Sequence, residues 1–251
     1  MTGGGRKASA GLREPLFAYA AAVAVATGMF WSGRSLSLIQ QIMHGVIACT
    51  FLFGPQAAAR LSGRPFDSQA AGIGLPSASL GLRVLGLALA ITWPCFIAGF
   101  FLYYGMLCHS HGPLRSLADL LSPFCYGWQG FAGGRLRIPD GFLLGALSQI
   151  LVVAIPEEVF FRGYLMSRLE ERWPSRWRLW GAALGWPWLM SSLLFAFGHF
   201  VVDLQPGRLA VFFPALAFGW MRSRSGSIAP GAIFHALCNL LSEFLHESFF
   251  R

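Results

Sequence analysis

The chain has 251 residues, of which 55% are hydrophobic and only 12% charged, about half the charged share of soluble globular domains; this speaks against a water-soluble protein and for a membrane protein. The net charge of +8 rests on 19 basic residues, all arginine except Lys7, but they are scattered between apolar runs and build no basic face, so a nucleic-acid partner is not expected. The cysteines Cys49, Cys95, Cys108, Cys125 and Cys238 are widely spaced with no CxxC pair; neither a zinc knuckle nor a disulfide framework is indicated, and most of them read as small core residues.

Apolar stretches of spanning length, about 20 residues, fall at 15–33, 36–58, 80–107, 141–166, 183–202, 207–221 and 227–249. The fold class expected is all-α: a polytopic membrane protein with about seven transmembrane helices, the last four forming a catalytic core. Arg6, Lys7 and Arg13 precede the first stretch as they would a signal peptide, but its apolar core is longer than an h-region and a second span follows almost at once, so it reads as a retained helix. The connection His109–Asp140 is rich in Gly, Pro and aromatics and reads as a loop with a short interfacial helix. Nothing marks a second globular unit. Residues 1–140 supply N-terminal helices and the long loop, and 141–251 the helical core, within one membrane domain.

With a cytoplasmic N-terminus, the inside segments hold Arg6, Lys7, Arg13, Arg60, Arg64, Arg168, Arg172, Arg176, Arg178, Arg222 and Arg224, and the outside ones hold Arg34, Arg115, Arg135, Arg137, Arg208 and Arg251. The positive-inside rule favours that orientation.

Into the fourth stretch the sequence AIPEEVFFRGYL places Glu157, Glu158 and Arg162. An ionised group at bilayer depth costs a few kcal/mol, about 3 on insertion scales, so such groups must be paired, protonated or facing a wet cavity. Consecutive residues differ by about 100° around a helix; Glu158 and Arg162, at i and i+4, share a face and read as a buried ion pair, whereas Glu157 points elsewhere without a local cation. The bland alternative is that the cluster marks the cytoplasmic end of its span with both acids solvated.

Two later spans carry polar residues at matching spacing. In FAFGHF, Phe195 and His199 are i, i+4, so an aromatic ring packs beside an imidazole; in PGAIFHALCN, His235 and Asn239 are i, i+4 and project from one face. Singly, such residues are more often helix-to-helix glue. Counting about 1.5 Å per residue, Glu157 lies on the order of 16 Å from Arg168, His199 on the order of 20 Å from Trp186 and His235 on the order of 16 Å from Arg224, similar depths provided the fifth helix starts near Trp186 with Trp173–Gly185 at the interface.

A carboxylate and an imidazole that converge on a water can take its proton, and a second imidazole with an amide can donate to the oxyanion of an attacked carbonyl. There is no GxSxG elbow, and Ser191, Ser192 and Ser242 lack the context of a nucleophile; Cys238, beside Asn239, leaves a thiol route open. Glu157, His199 and His235 also form a His2Glu set of the kind that binds catalytic zinc, although no HExxH is present, so metal-free and zinc readings both stand on spacing alone.

PEEVFFRG, FAFGH and HALCN, in that order within residues 141–245, resemble the EExxxR, FxxxH and HxxxN motifs of the CPBP family, the CAAX-protease and bacteriocin-processing intramembrane endopeptidases. The resemblance implies an all-helical membrane protease of glutamic type, needing no cofactor, whose site lines a cavity open towards the cytosol. Carried onto this sequence, Glu157 with His199 would activate water, His235 with Asn239 would form the oxyanion site, and Glu158, Arg162 and Phe195 would support them. The implied partners are the lipid bilayer and a membrane-associated peptide or protein substrate. Eukaryotic members cleave a C-terminal tripeptide after a prenylated cysteine, while bacterial members serve varied roles; the bias for arginine over lysine suggests a bacterial inner membrane. A non-catalytic scaffold or immunity protein of the same fold and a proton-coupled transporter are the competing readings, the latter weakened by the lack of inverted-repeat hydropathy.

Overall fold

The computed structural model describes residues 11–108, 125 and 127–250. Arg6, Lys7, Arg115, Arg251 and most of the His109–Asp140 connection, with its expected interfacial helix, lie outside the described residues.

Helices α1 (Arg13–Gly33) and α2 (Ser37–Ser62) form a hairpin, and α3 (Ala78–Cys108) follows. A single helical turn, Gly130–Gly133, precedes α4 (residues 142–170), a continuous helix in which Gln149–Ala154 and Val159–Leu165 are wound as π-helix. Pro156 sits between the two wide turns and has no N–H to offer the regular ladder. The strands β1 (Trp177–Leu179) and β2 (Ala182–Leu184) lead into α5 (Trp186–Asp203), which begins with Pro187 in its first turn. A 3-10 segment, Pro206–Val211, turns into α6 (Phe212–Ser225), and α7 (Ala229–Phe249) closes the chain.

The central helix is α4, which packs against α1, α2, α5, α6 and α7. Every residue from Glu158 to Met166 is buried as a result. Large rings fill the space around it, among them Phe51, Phe160, Phe161, Tyr164, Phe195, Phe218 and Phe234.

One end of the bundle is charged. Glu14 of α1 accepts a hydrogen bond from the Tyr164 hydroxyl at 3.1 Å and pairs with Arg64 at 2.6 Å and Arg168 at 3.2 Å. Glu171 pairs with both arginines, and Arg222 of α6 forks onto Glu170 at 2.7 and 2.8 Å. The opposite end is aromatic: Phe100, Phe101 and Tyr104 of α3 pack on Trp128, Phe249 and Phe250. There the backbone N–H groups of Gln129 and Arg135 donate to the carbonyls of Phe249 and Ser248, fastening the described end of the long connection to the last helix.

One expectation is met in part and others need correction. Among the described residues, four helices are long and apolar enough to cross a membrane, Arg13–Gly33, Ser37–Ser62, Ala78–Met106 and Phe142–Arg172. The other three expected spans are helical but fall short of that test: α5, long enough at 18 residues, is made less apolar by Pro187, Ser191, Ser192, His199 and Asp203, α6 has 14 residues, about 21 Å, and α7 carries His235, Asn239, Glu243, His246 and Glu247 along its length. The mostly helical fold also contains a two-stranded hairpin. Trp180 and Gly181, at φ 49° and 80°, form its two-residue turn, the left-handed pair that matches the twist of flanking strands. The hairpin packs against α6, where Trp220 Nε1–H donates to the Leu179 carbonyl at 3.0 Å, a tertiary bond that local pattern does not announce. Finally, Cys108 and Cys125 are joined in a disulfide, and Cys49 and Cys95 are exposed rather than core residues, because α2 and α3 turn those faces away from the bundle.

Candidate active site

Glu158 and Arg162 are both fully buried and joined at 3.0 Å between Oε1 and Nη1. The reading in which these two mark a solvated helix end is thereby ruled out. The second guanidinium arm donates to the Ala215 carbonyl at 3.1 Å, and the cation lies over the rings of Phe195 and Phe218 at 4.5 and 4.9 Å. A charge so deep needs both the partner and the ring faces, because burial alone disfavours it.

Glu157 projects to the neighbouring face. Its Oε2 lies 3.9 Å from Nε2 of His199 on α5 and 3.7 Å from Nε2 of His235 on α7. That oxygen is buried and has no hydrogen-bond partner of its own. Side-chain exposure falls from 27% at His199 through 13% at Glu157 to 5% at His235, so the three define a wall open on the His199 side.

The tautomer of His199 follows from its partner. Its Nδ1 lies 2.9 Å from the carbonyl oxygen of Phe195, which can only accept, so Nδ1 carries the proton, and in the neutral ring Nε2 presents a lone pair towards Glu157. The Phe195 ring flanks the imidazole at 4.4 Å. His235 is held differently: it stacks on Phe218 at 4.7 Å and 14°, and its Nδ1 comes within 3.3 Å of Glu158 Oε1, close but without hydrogen-bond alignment. Glu158 thus touches both Arg162 and His235, linking the buried ion pair to the group formed by Glu157, His199 and His235.

Asn239 lies one turn beyond His235 and donates from Nδ2 to Oε1 of Gln149 at 2.9 Å. All seven residues singled out from the sequence are therefore gathered around one point: Glu157, His199 and His235 meet directly, Asn239 lies next to them along α7, and Glu158, Arg162 and Phe195 pack behind them. Gln149 and Phe218 were missed. Gln149 was visible as the one amide in the apolar run LLGALSQILVVAIP, whereas nothing local distinguishes Phe218 from the other 22 phenylalanines.

For the zinc alternative, the same three side chains would have to close around an ion. Among the described residues no group of three His, Cys, Asp or Glu side chains is set as a metal cage. Cys238 is half-buried and packs against the hydrophobic core.

No curated protein and no solved structure gives a match to this chain. Residues 139–241 match the family model described as type II CAAX prenyl endopeptidase Rce1-like, a segment that contains every residue of the site just described. By that match, residues 139–241 are similar to the Rce1-like family of type II CAAX prenyl endopeptidases, and the chain that carries them is an apolar, mostly helical membrane protein.

Proposed function

We propose that this protein is an intramembrane endopeptidase that hydrolyses a peptide bond of a membrane-associated or C-terminally anchored substrate with a water activated by Glu157 and His199. The observation that carries the proposal is the unpartnered Oε2 of Glu157 facing two imidazole nitrogens in a half-open wall. A water placed against that oxygen and against Nε2 of His199 loses its proton to the carboxylate as it attacks the carbonyl carbon. The oxyanion of the tetrahedral intermediate accepts hydrogen bonds from His235 Nε2–H and an N–H of Asn239. Glu157 then returns the proton to the leaving amine, so the glutamate ends as it began and no covalent enzyme intermediate forms.

The site lies on the order of 20 Å from either end of α4 by residue count, which suits a peptide drawn into the bilayer. We read the charged end as cytoplasmic: Arg64, Arg168 and Arg222 gather there, and the Cys108–Cys125 disulfide sits at the opposite end, where an oxidising compartment favours it. The seven helices then form one membrane domain with α4 to α7 as its catalytic core, in the inner membrane if the host is a bacterium.

The test is cleavage by the purified full chain in proteoliposomes, given an isoprenyl-cysteine peptide and, separately, an unprenylated reporter with a C-terminal membrane anchor. Cleavage of either that is lost in Glu157→Gln at equal folded yield supports the proposal, and the preferred reporter names the substrate class. Cleavage by Glu157→Gln at the wild-type rate, or by neither protein, overturns it.

A further inference from the structure

The carboxamide of Gln149 is the only side chain from outside the three motifs that hydrogen-bonds to a motif side chain among the described residues. We infer that Gln149 is a positioning residue: it fixes the Asn239 carboxamide so that one N–H is held by Gln149 and the other remains for the substrate oxyanion. The inference rests on the proposed hydrolysis and assigns a residue to it.

Geometry first explains why Gln149 can reach. Residues 149 and 157 are eight apart, and eight α-helical steps of about 100° would leave them about 80° out of line. The wide turn over Gln149–Ala154 takes up an extra residue. The pair is therefore related as i and i+7 in a regular helix, two full turns apart and on nearly the same face. Wide turns of this kind recur at functional sites because they rotate one part of a helix face against the next. Here the rotation turns Gln149 towards α7, against which this segment packs.

Chemistry then says what the contact does. Asn239 has two amide hydrogens and one carbonyl oxygen. A free carboxamide at the end of a short side chain can turn over, presenting its oxygen where a donor is wanted, and an oxygen facing an oxyanion repels it. With Nδ2 donating to Gln149 Oε1 at 2.9 Å, that exchange is opposed, since both carboxamides would have to turn over together. The nitrogen stays on the α4 side, next to the carbonyl that the activated water attacks. Donors that are already oriented lower the barrier because they need not reorganise during the reaction.

The experiment is a double-mutant cycle on the full-length protein in proteoliposomes, with the better of the two reporters above. Gln149→Met keeps the shape of the side chain and removes the acceptor. It is expected to lower kcat by about ten- to a hundredfold, with KM and thermal midpoint unchanged, because only the transition state uses the oriented donor. In an Asn239→Ala background the same substitution should cause no further loss, since the two residues act as one unit. Additive losses, or a wild-type kcat in Gln149→Met, would overturn the inference. Glu157→Gln runs alongside: if it cleaves normally the hydrolytic reading itself falls, whereas an inert Glu157→Gln beside a normal Gln149→Met removes only the role of Gln149. Should no reporter be cleaved, the inference falls with the reading on which it rests.

Discussion

Glu158 Oε1 lies 3.0 Å from Arg162 Nη1 and 3.3 Å from His235 Nδ1, so one fully buried carboxylate oxygen serves both the ion pair inside α4 and the imidazole on α7. The adjacent Glu157 makes no ion pair with an arginine or lysine among the described residues. Two glutamates that are neighbours in sequence thus have different work, because a helix turns them to different faces.

Glu158→Gln is expected to destabilise the protein by about 3–5 kcal/mol, the usual cost of leaving one member of a buried ion pair unpartnered. Thermal unfolding of the detergent-solubilised protein, followed by tryptophan fluorescence, reads this as a large fall in midpoint. Glu157→Gln should leave the midpoint near wild type. The reverse ordering would show that the two faces are wrongly assigned.

His199 offers a finer test, because its two nitrogens have separate tasks. His199→Asn places an amide N–H where Nδ1 stands and so keeps the bond to the Phe195 carbonyl, but leaves nothing in the place of Nε2. The variant should fold with an unchanged midpoint and lose at least about a hundredfold in cleavage rate, the low end of what acid–base catalysis contributes, because the water that Glu157 deprotonates is no longer held. Activity within threefold of wild type would remove His199 from water activation.

Gly219 of α6 packs against Trp188 of α5. A Cβ there would stand 2.6 Å from Cδ1 of Trp188, whose Nε1–H donates to the Leu216 carbonyl at 2.8 Å. Gly219→Ala therefore forces the indole aside and should cost about 1–3 kcal/mol. Trp188→Leu in the same chain should recover part of the loss, because the overlapping ring is gone. An unchanged midpoint in the single variant would mean that the two helices can separate freely here.

The Cys108–Cys125 bond closes a loop across a sequence separation of 17, which in the chain-entropy model is about 3 kcal/mol of stabilisation. Denatured protein treated with a maleimide should add three labels, at Cys49, Cys95 and Cys238, and five after reduction. Reductant should also lower the thermal midpoint. Five labels without reductant would show that the bond does not form in the cell that makes the protein.

The sequence alone carried the membrane character, the stretch 141–245 that holds the chemistry, and each residue of the three motifs. These are legible because helical spacing is a local rule: Glu158 with Arg162, Phe195 with His199 and His235 with Asn239 are each one turn apart whatever the rest of the chain does. The start of α5 at Trp186 was legible for the same reason, since Pro187 suits a first turn and little else.

Tertiary structure alone decided which faces meet. Spacing within α4, α5 and α7 cannot say that Glu157 Oε2 lies between Nε2 of His199 and Nε2 of His235, because that depends on how three helices rotate and cross. Nor could it show Gln149 opposite Asn239, since the wide turn that brings it round is set by the bonds and packing of the whole helix. The strands at Trp177–Leu184 and the Cys108–Cys125 pair are likewise contacts between segments whose local sequence is neutral about them. Periodicity is a property of one helix, while a site is a relation among several, and only packing around the buried α4 makes that relation definite.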